Sequence, residues 1–282
     1  MTWIIYATIA VVTGSFINIL QRVLMKEKDS DPLTYTIALQ LFGAVICFIF
    51  AFIKGFEMPP IREYPFNFFL EALLYSFISL FTFKALKFIE ASKTTIIFSF
   101  GTVVTIIASA LFLNEALTGQ RLLGTFLIII SIALVSKLKD FSAKGKGAIY
   151  ALIAAVLGGL ALVNDTYLLR FSDSVSYTAM AFLLPGILLS LLYPNSFKKL
   201  KIFLNPKLGR NMFLLCFIWS VSAIAFYLAI EKGALASQIS PFSQSRVILT
   251  VLLGAILLKE RENLLIKTIA AFLVVAGVML IK

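Results

Sequence analysis

Leu122-Leu-Gly-Thr-Phe-Leu-Ile-Ile-Ile-Ser-Ile-Ala-Leu-Val135 decides the fold. The strands of a membrane barrel would alternate with period two, and a helix on a water-soluble domain would carry one charged face; this run does neither. It is apolar all round, which marks a helix surrounded by lipid or by other helices. Nine similar blocks lie on either side of it. The predicted spans are 3–24, 33–53, 66–88, 94–113, 119–136, 147–169, 175–193, 211–230, 236–258 and 263–281. A helix rises 1.5 Å per residue and needs about 20 residues to cross roughly 30 Å of hydrocarbon, which is the length of these blocks. The chain reads as an all-α polytopic membrane protein with ten transmembrane helices and no room for a soluble domain.

Composition excludes several classes of function. The net charge of +11 would suggest a nucleic-acid partner in a soluble protein. Here the Lys and Arg residues sit at helix ends, where anionic headgroups neutralise them, so the bilayer is the expected partner and nucleic acid is not. Cys47 and Cys216 lie inside apolar blocks and the chain has no histidine, so neither a disulfide framework nor a metal site is expected, and no cofactor is implied. Membrane enzymes need paired acids in a Gly-x-Gly-Asp setting, a serine with a histidine, or His-Glu-x-x-His. The sequence has none of these, and an enzyme is not expected. The first block starts at Trp3 without a basic region before it and lacks a small-residue cleavage pattern, so it reads as a retained helix rather than a signal peptide.

The ten blocks fall into two groups of five. Residues 91–137 align without a gap on 236–282, pairing Ala91-Ser92 with Ala236-Ser237, Thr105 with Thr250, Ala110 with Ala255 and Glu115 with Glu260. Residues 31–44 align on 173–186, pairing Asp31 with Asp173 and Tyr35-Thr36 with Tyr177-Thr178. Two apolar helices match partly by chance, so the shared register of the charged turns carries the repeat. The predicted units are 1–140 and 145–282. Five is an odd number, so the second unit enters the membrane from the side opposite to the first, and the two are inverted repeats. Two near-equivalent packings of inverted halves give inward-open and outward-open states, which is the recurring architecture of secondary transporters.

Basic residues set the orientation. One set of alternate loops carries eighteen Lys and Arg, among them Arg22, Lys93, Lys198, Lys199 and Lys267, against six on the other side. The count places loops 137–146 and 194–210 in the cytoplasm and both termini outside a plasma membrane.

Ala91-Ser92, the helix with Gly101, then Glu115-Ala-Leu-Thr118-Gly-Gln120 and Gly124 resemble the signature of the EamA-like family of the drug/metabolite transporter superfamily. The second copy keeps Ala236-Ser237, Pro241, Glu260 and Gly277 and loses the Leu-Thr and Gln positions. The resemblance implies a central cavity lined by helices 1–4 and 6–9, with helices 5 and 10 peripheral, and export or exchange of small metabolites. It also implies cytoplasmic termini, against the basic-residue count.

Arg246 is the most informative single residue. It lies near the middle of the ninth span, where an insertion cost of roughly 2.5 to 3.5 kcal/mol requires it to face protein or water and find a partner. Ser240-Pro241-Phe242-Ser243-Gln244-Ser245 precede it, an unusually polar run for a span, and Ser243, Arg246 and Thr250 share one helical face. Pro241 lacks the amide that would bond the carbonyl of Ser237, so the helix is expected to open just before this turn. Arg246 either binds a carboxylate or phosphate with help from Ser243 and Gln244, or forms a buried ion pair that fixes packing. The acids inside predicted spans, Glu71 and Asp165, are its candidate partners.

Glu71 either carries a coupling proton or reaches up to the interface. Asp165, after Asn164, is a gate, an interfacial residue or a substrate contact. Tyr75 and Tyr227 are expected to wall the cavity. Asn18 and Gln40 either line it or bridge helices, and Gln21 reads as packing. Glu115 and Glu260 read as matched structural turns, and Gly14, Gly43, Gly101, Gly158 and Gly159 as packing positions. The reading is an alternating-access secondary transporter, monomeric or homodimeric, exporting or exchanging a small polar metabolite that is anionic or zwitterionic, such as an amino acid. The alternative is an exporter or flippase of amphipathic drugs or lipid-linked molecules.

Overall fold

The computed structural model describes residues 2–27, 30–113, 118–136 and 145–280, and the regular elements within them are helical. Helices α1 (Thr2–Met25), α2 (Pro32–Lys54), α3 (Pro65–Phe88), α4 (Ala91–Phe98), α5 (Phe100–Phe112) and α6 (Gly119–Ser136) make up the first half. The second half comprises α7 (Lys146–Leu168), α8 (Ser174–Leu192), the short α9 (Pro194–Lys198), a 3-10 segment (Lys199–Leu204), α10 (Pro206–Glu231), α11 (Ala236–Gln244), α12 (Arg246–Leu257) and α13 (Leu264–Leu280). Among the described residues seven helical stretches are long and apolar enough to cross a bilayer, with shorter apolar helices at Leu122–Ser131, Phe242–Leu257 and Leu264–Gly277. The protein is a multi-pass membrane protein.

The starts of the helices follow from local chemistry. Asp31 caps α2, accepting from the Leu33 amide at 3.2 Å and the Thr34 hydroxyl at 2.8 Å, with Pro32 in the first helical position where its missing N–H is not needed. Asp173 caps α8 in the same way, accepting from the Ser176 amide at 2.9 Å. The aspartates that the repeat alignment paired therefore do the same work. Asn205 and Pro206 open α10 earlier than the predicted start at 211. Residues 194–204, read as loop, form α9 and the 3-10 segment, which tucks Phe203 against Tyr35 with ring centres 5.1 Å apart.

Two predicted spans, 94–113 and 236–258, are each broken midway. Ser99 separates α4 from α5 and Ser245 separates α11 from α12. The amides at these points turn back to the third preceding carbonyl, Ser99 to Ile96 at 3.2 Å and Ser245 to Phe242 at 3.1 Å, a local tightening of the helix. Helix α11 runs through position 241, so the break follows Pro241 by four residues where an opening just before the polar turn was expected. The side chain of Pro241 lies outside the described residues, as does Glu115.

Packing runs between the halves. The most extensive contacts join α1 to α10, α3 to α7, α2 to α8, and α6 to α13. Close crossings use glycine. A Cβ on Gly159 would stand 2.6 Å from the Gly101 carbonyl oxygen, and one on Gly277 would stand 2.6 Å from that of Gly124, so α5 meets α7 and α6 meets α13 backbone to backbone. Gly158 differs from its neighbour, since a Cβ there would meet nothing within 4 Å. Gly159→Val should lower the midpoint of thermal unfolding in detergent, by a destabilisation of about 1–3 kcal/mol from overpacking. Gly158→Ala should leave it unchanged or raise it by up to about 1 kcal/mol of helix propensity, and melting curves of the two variants check the contrast.

Candidate functional site

A cavity of about 230 Å³ lies among α1, α3, α4, α5, α7, α10, α11 and α12. Among the described residues α6 and α13 contribute nothing to its wall, as the resemblance implied. α2 and α8 also stay out of it, contrary to that expectation. They pack face to face and border only a neighbouring space of about 20 Å³ near Gln40 and Phe182.

Arg246 enters the cavity from the first position of α12, just past the break at Ser245. Its backbone carbonyl accepts from the Ser15 hydroxyl at 3.4 Å. A Cβ on Gly14 would come within 3.7 Å of Arg246 Nη1 and 3.8 Å of Ser222 Oγ, so the guanidinium lies against α1 at this glycine. Arg246 Nε is buried without a hydrogen-bond partner, and among the described residues no acid stands within ion-pair distance of the group. Ser243, Gln244 and Asn18 share the cavity wall with it. Ser243 donates to the Ile239 carbonyl at 2.5 Å, and Asn18 donates to Thr95 Oγ1 at 3.1 Å, so both are held by helix contacts while facing the space. Thr250, on the same predicted face, is fully buried outside the lining.

Neither candidate acid pairs with Arg246. Asp165 is fully buried and held by three tyrosines from three helices. Its Oδ2 accepts from Tyr75 at 2.5 Å and Tyr227 at 2.9 Å, and its Oδ1 accepts from Tyr177 at 2.7 Å. The hydroxyl oxygens of Tyr75 and Tyr227 lie 2.8 Å apart, so the two residues, with one hydrogen each, share the contacts of a triangle with Asp165. These two line the cavity, so Asp165 stands directly behind its wall rather than at an interface. Glu71 is fully buried too, and neither carboxyl oxygen has a partner among the described residues; it does not reach the interface. Asn164 leaves the cavity altogether, accepting from Asn67 Nδ2 at 2.7 Å and donating to the Asn67 carbonyl at 3.1 Å. Gln40 donates to Ser79 Oγ at 2.8 Å in the small neighbouring space and is a helix bridge.

Several lining residues were missed. Gln21, read as packing, borders the cavity, as do Trp219, Phe226 and Gly158. Tyr177 entered the sequence reading only as a repeat marker, although a buried tyrosine always needs a partner for its hydroxyl. The conspicuous miss is a charged network. Lys93 and Lys267, both buried, approach Glu90 Oε2 at 3.3 and 2.7 Å. Arg22 lies 3.6 Å from Glu260 and also donates to the Leu86 carbonyl. Glu260 in turn accepts from the Ala91 amide at 3.4 Å and Ser92 Oγ at 3.3 Å, fastening the start of α4 to the end of α12. Three cations counted as headgroup anchors are thus neutralised inside the protein. Glu260→Ala should cost about 3–5 kcal/mol, since it strands Arg22 in a buried setting, and Glu260→Gln should cost less; thermal unfolding of the two purified variants checks the order.

The helices thus enclose a cavity whose described lining carries one cation, and the comparisons say which class of membrane protein this is. The model of the EamA-like transporter family matches residues 1–137 and again 145–282. The chain belongs to the EamA-like transporter family. It is 25% identical over 195 residues to an uncharacterized transporter of Archaeoglobus fulgidus, covering 69% of this chain and 68% of that protein. A crystal structure of a protein 14% identical in sequence aligns over 99% of this chain and 96% of its own with a TM-score of 0.69, which extends the likeness in fold to the full length.

Proposed function

We propose that this transporter is a secondary carrier working by alternating access, which exports or exchanges a small polar metabolite bearing a negative charge, alone or in a zwitterion such as an amino acid. The observation that carries this reading is Arg246, a cation facing an internal cavity with no acid beside it. A permanent charge is costly in the bilayer interior, so the residue has a use that outweighs its cost, and an anionic ligand supplies the missing partner. Gln244, Ser243 and Asn18 share its wall and are placed to hydrogen-bond such a ligand.

Ten spans arranged as two inverted repeats, 1–140 and 145–282, underlie the proposed mechanism. Three observations support them. The packing of the first predicted span on the eighth, α1 on α10, has its counterpart in the sixth on the third, α7 on α3. The second and seventh spans pair with each other, as do the fifth and tenth, which is what a two-fold relation between halves requires. The breaks at Ser99 and Ser245 fall one residue apart in the repeat register, and each provides a point at which the half-helices can swing. Glu71 and Asp165 serve as the proton site. A carboxyl whose oxygens have no partner is far cheaper neutral than charged in an apolar interior, and Asp165 already gathers the nearby hydroxyls. The basic-rich loops 137–146 and 194–210 face the cytoplasm in this reading.

A metabolite library screened by thermal shift identifies the substrate, because a bound ligand stabilises the folded state by mass action. Arg246→Ala should then remain folded in detergent and lose saturable uptake of that substrate in proteoliposomes; unaltered kinetics remove Arg246 from the site. Glu71→Gln should retain exchange of labelled for unlabelled substrate while losing uptake driven by an imposed pH gradient. Gradient-driven uptake at the wild-type rate excludes Glu71 as the proton carrier.

A further inference from the structure

The charge inventory of the cavity narrows the substrate further. Among the described lining residues Arg246 bears the one formal charge. Asp165 stands behind Tyr75 and Tyr227 and Glu71 does not line the space, and with both acids protonated, as in the loaded state of the proposed proton site, neither adds a charge beside it. A ligand with one negative charge makes the occupied cavity neutral. A zwitterion leaves the arginine charge uncompensated overall, and a dianion replaces one buried excess charge with another. Neutrality selects a monoanion.

The rest of the wall describes the body of that ligand. Trp219 and Phe226 border the cavity from α10 and Phe98 from α4, so part of the surface is apolar and aromatic. Gly158, in the middle of α7, also borders it. Glycine inside a helix is unfavourable by about 1 kcal/mol against alanine. At Gly101 and Gly159 that cost has a packing reason, since a Cβ would strike a backbone oxygen at 2.8 or 2.6 Å. Gly158 has neither a close neighbour nor a positive φ to explain it. What its missing side chain leaves is room in the cavity. A space of about 230 Å³ is smaller than the pockets of roughly 300 Å³ and more that hold drug-sized ligands, so the occupant is small.

We infer that the cavity is built for a small monocarboxylate with an apolar body, its carboxylate on Arg246 and its body in the space that Gly158 keeps open within the cavity that Trp219 and Phe226 also line. The inference rests on the proposed role of Arg246 and adds to it the exclusion of an ammonium group and of a second acid. Gly158 is then the residue that sets the size of the substrate.

Four probes of one body and different charge test it: phenylacetate, phenylalanine, phenylsuccinate and phenylacetamide, with propionate as a small acid. Binding to the purified full chain is read from the emission of Trp219 in a Trp3→Phe background and, independently, from the thermal shift. Phenylacetate should bind at least tenfold more tightly than phenylalanine, phenylsuccinate or phenylacetamide, and Arg246→Gln should abolish the difference. Gly158→Leu, which places a side chain in the open space, should weaken phenylacetate at least tenfold more than propionate, with Gly158→Ala showing the same trend more weakly should the leucine variant fail to fold. Equal or tighter binding of phenylalanine or phenylsuccinate, lost in Arg246→Gln, overturns the monocarboxylate inference and leaves the anion site standing. Binding of these probes that survives Arg246→Gln overturns both, and no binding of either monocarboxylate to the wild type overturns the inference.

Discussion

Lipid offers no hydrogen bonds, and every polar group that enters the span must therefore find its partner within the protein. That constraint accounts for the helices themselves, whose backbone groups are satisfied locally. It also accounts for the way polar side chains within the helices are spent. Thr8, Thr13, Thr36, Thr166 and Thr268 each return their hydroxyls to a carbonyl four residues back, which costs no tertiary contact. Groups too long or too charged for that solution are gathered into networks, and the networks join helices from both halves of the chain.

Two such networks differ in chemistry and in what they join. Arg22, Glu90, Lys93, Glu260 and Lys267 tie α1, α4, the end of α12 and α13 with ion pairs. Asp165 with Tyr75, Tyr177 and Tyr227 ties α7, α3, α8 and α10 with hydroxyl donors and no cation. Buried ion pairs are poor sources of net stability but are strongly destabilising to break, which suits a contact that is either wholly made or wholly absent. Hydroxyls around a carboxylate hold it in place and join the helices that carry them. Arg246 belongs to neither network. Its Nε, like the carboxyl oxygens of Glu71, is buried without a hydrogen-bond partner among the described residues, and of these two residues it is Arg246 that lines the cavity.

Much of this was legible in the sequence. The spans are right to within a few residues for α2 and α3, where Asp31, Pro32 and Pro65 mark the starts. Arg246, Ser243, Gln244, Tyr75, Tyr227 and Asn18 were singled out and all line the cavity. Polar residues inside apolar blocks are conspicuous because the bilayer makes them expensive. The partners were not legible. Asp165 and Glu71 looked equally suitable as counter-ions to Arg246, yet one takes three tyrosines and the other none. Lys93 and Lys267 looked like surface anchors because they flank spans, although they are buried against Glu90. Gly158 and Gly159 are chemically identical neighbours, but they point about 100° apart around a helix, one into a void and the other into a backbone.

The sequence by itself determined that this chain crosses a membrane many times, where it does so, and which few side chains violate the apolar rule, because the bilayer is a uniform solvent and hydropathy along the chain reports it directly. Only the tertiary structure decided which of those side chains meet. The bonds from Tyr75 and Tyr227 to Asp165 span 90 and 62 residues of sequence, and such pairings depend on how helices cross rather than on what any one helix contains.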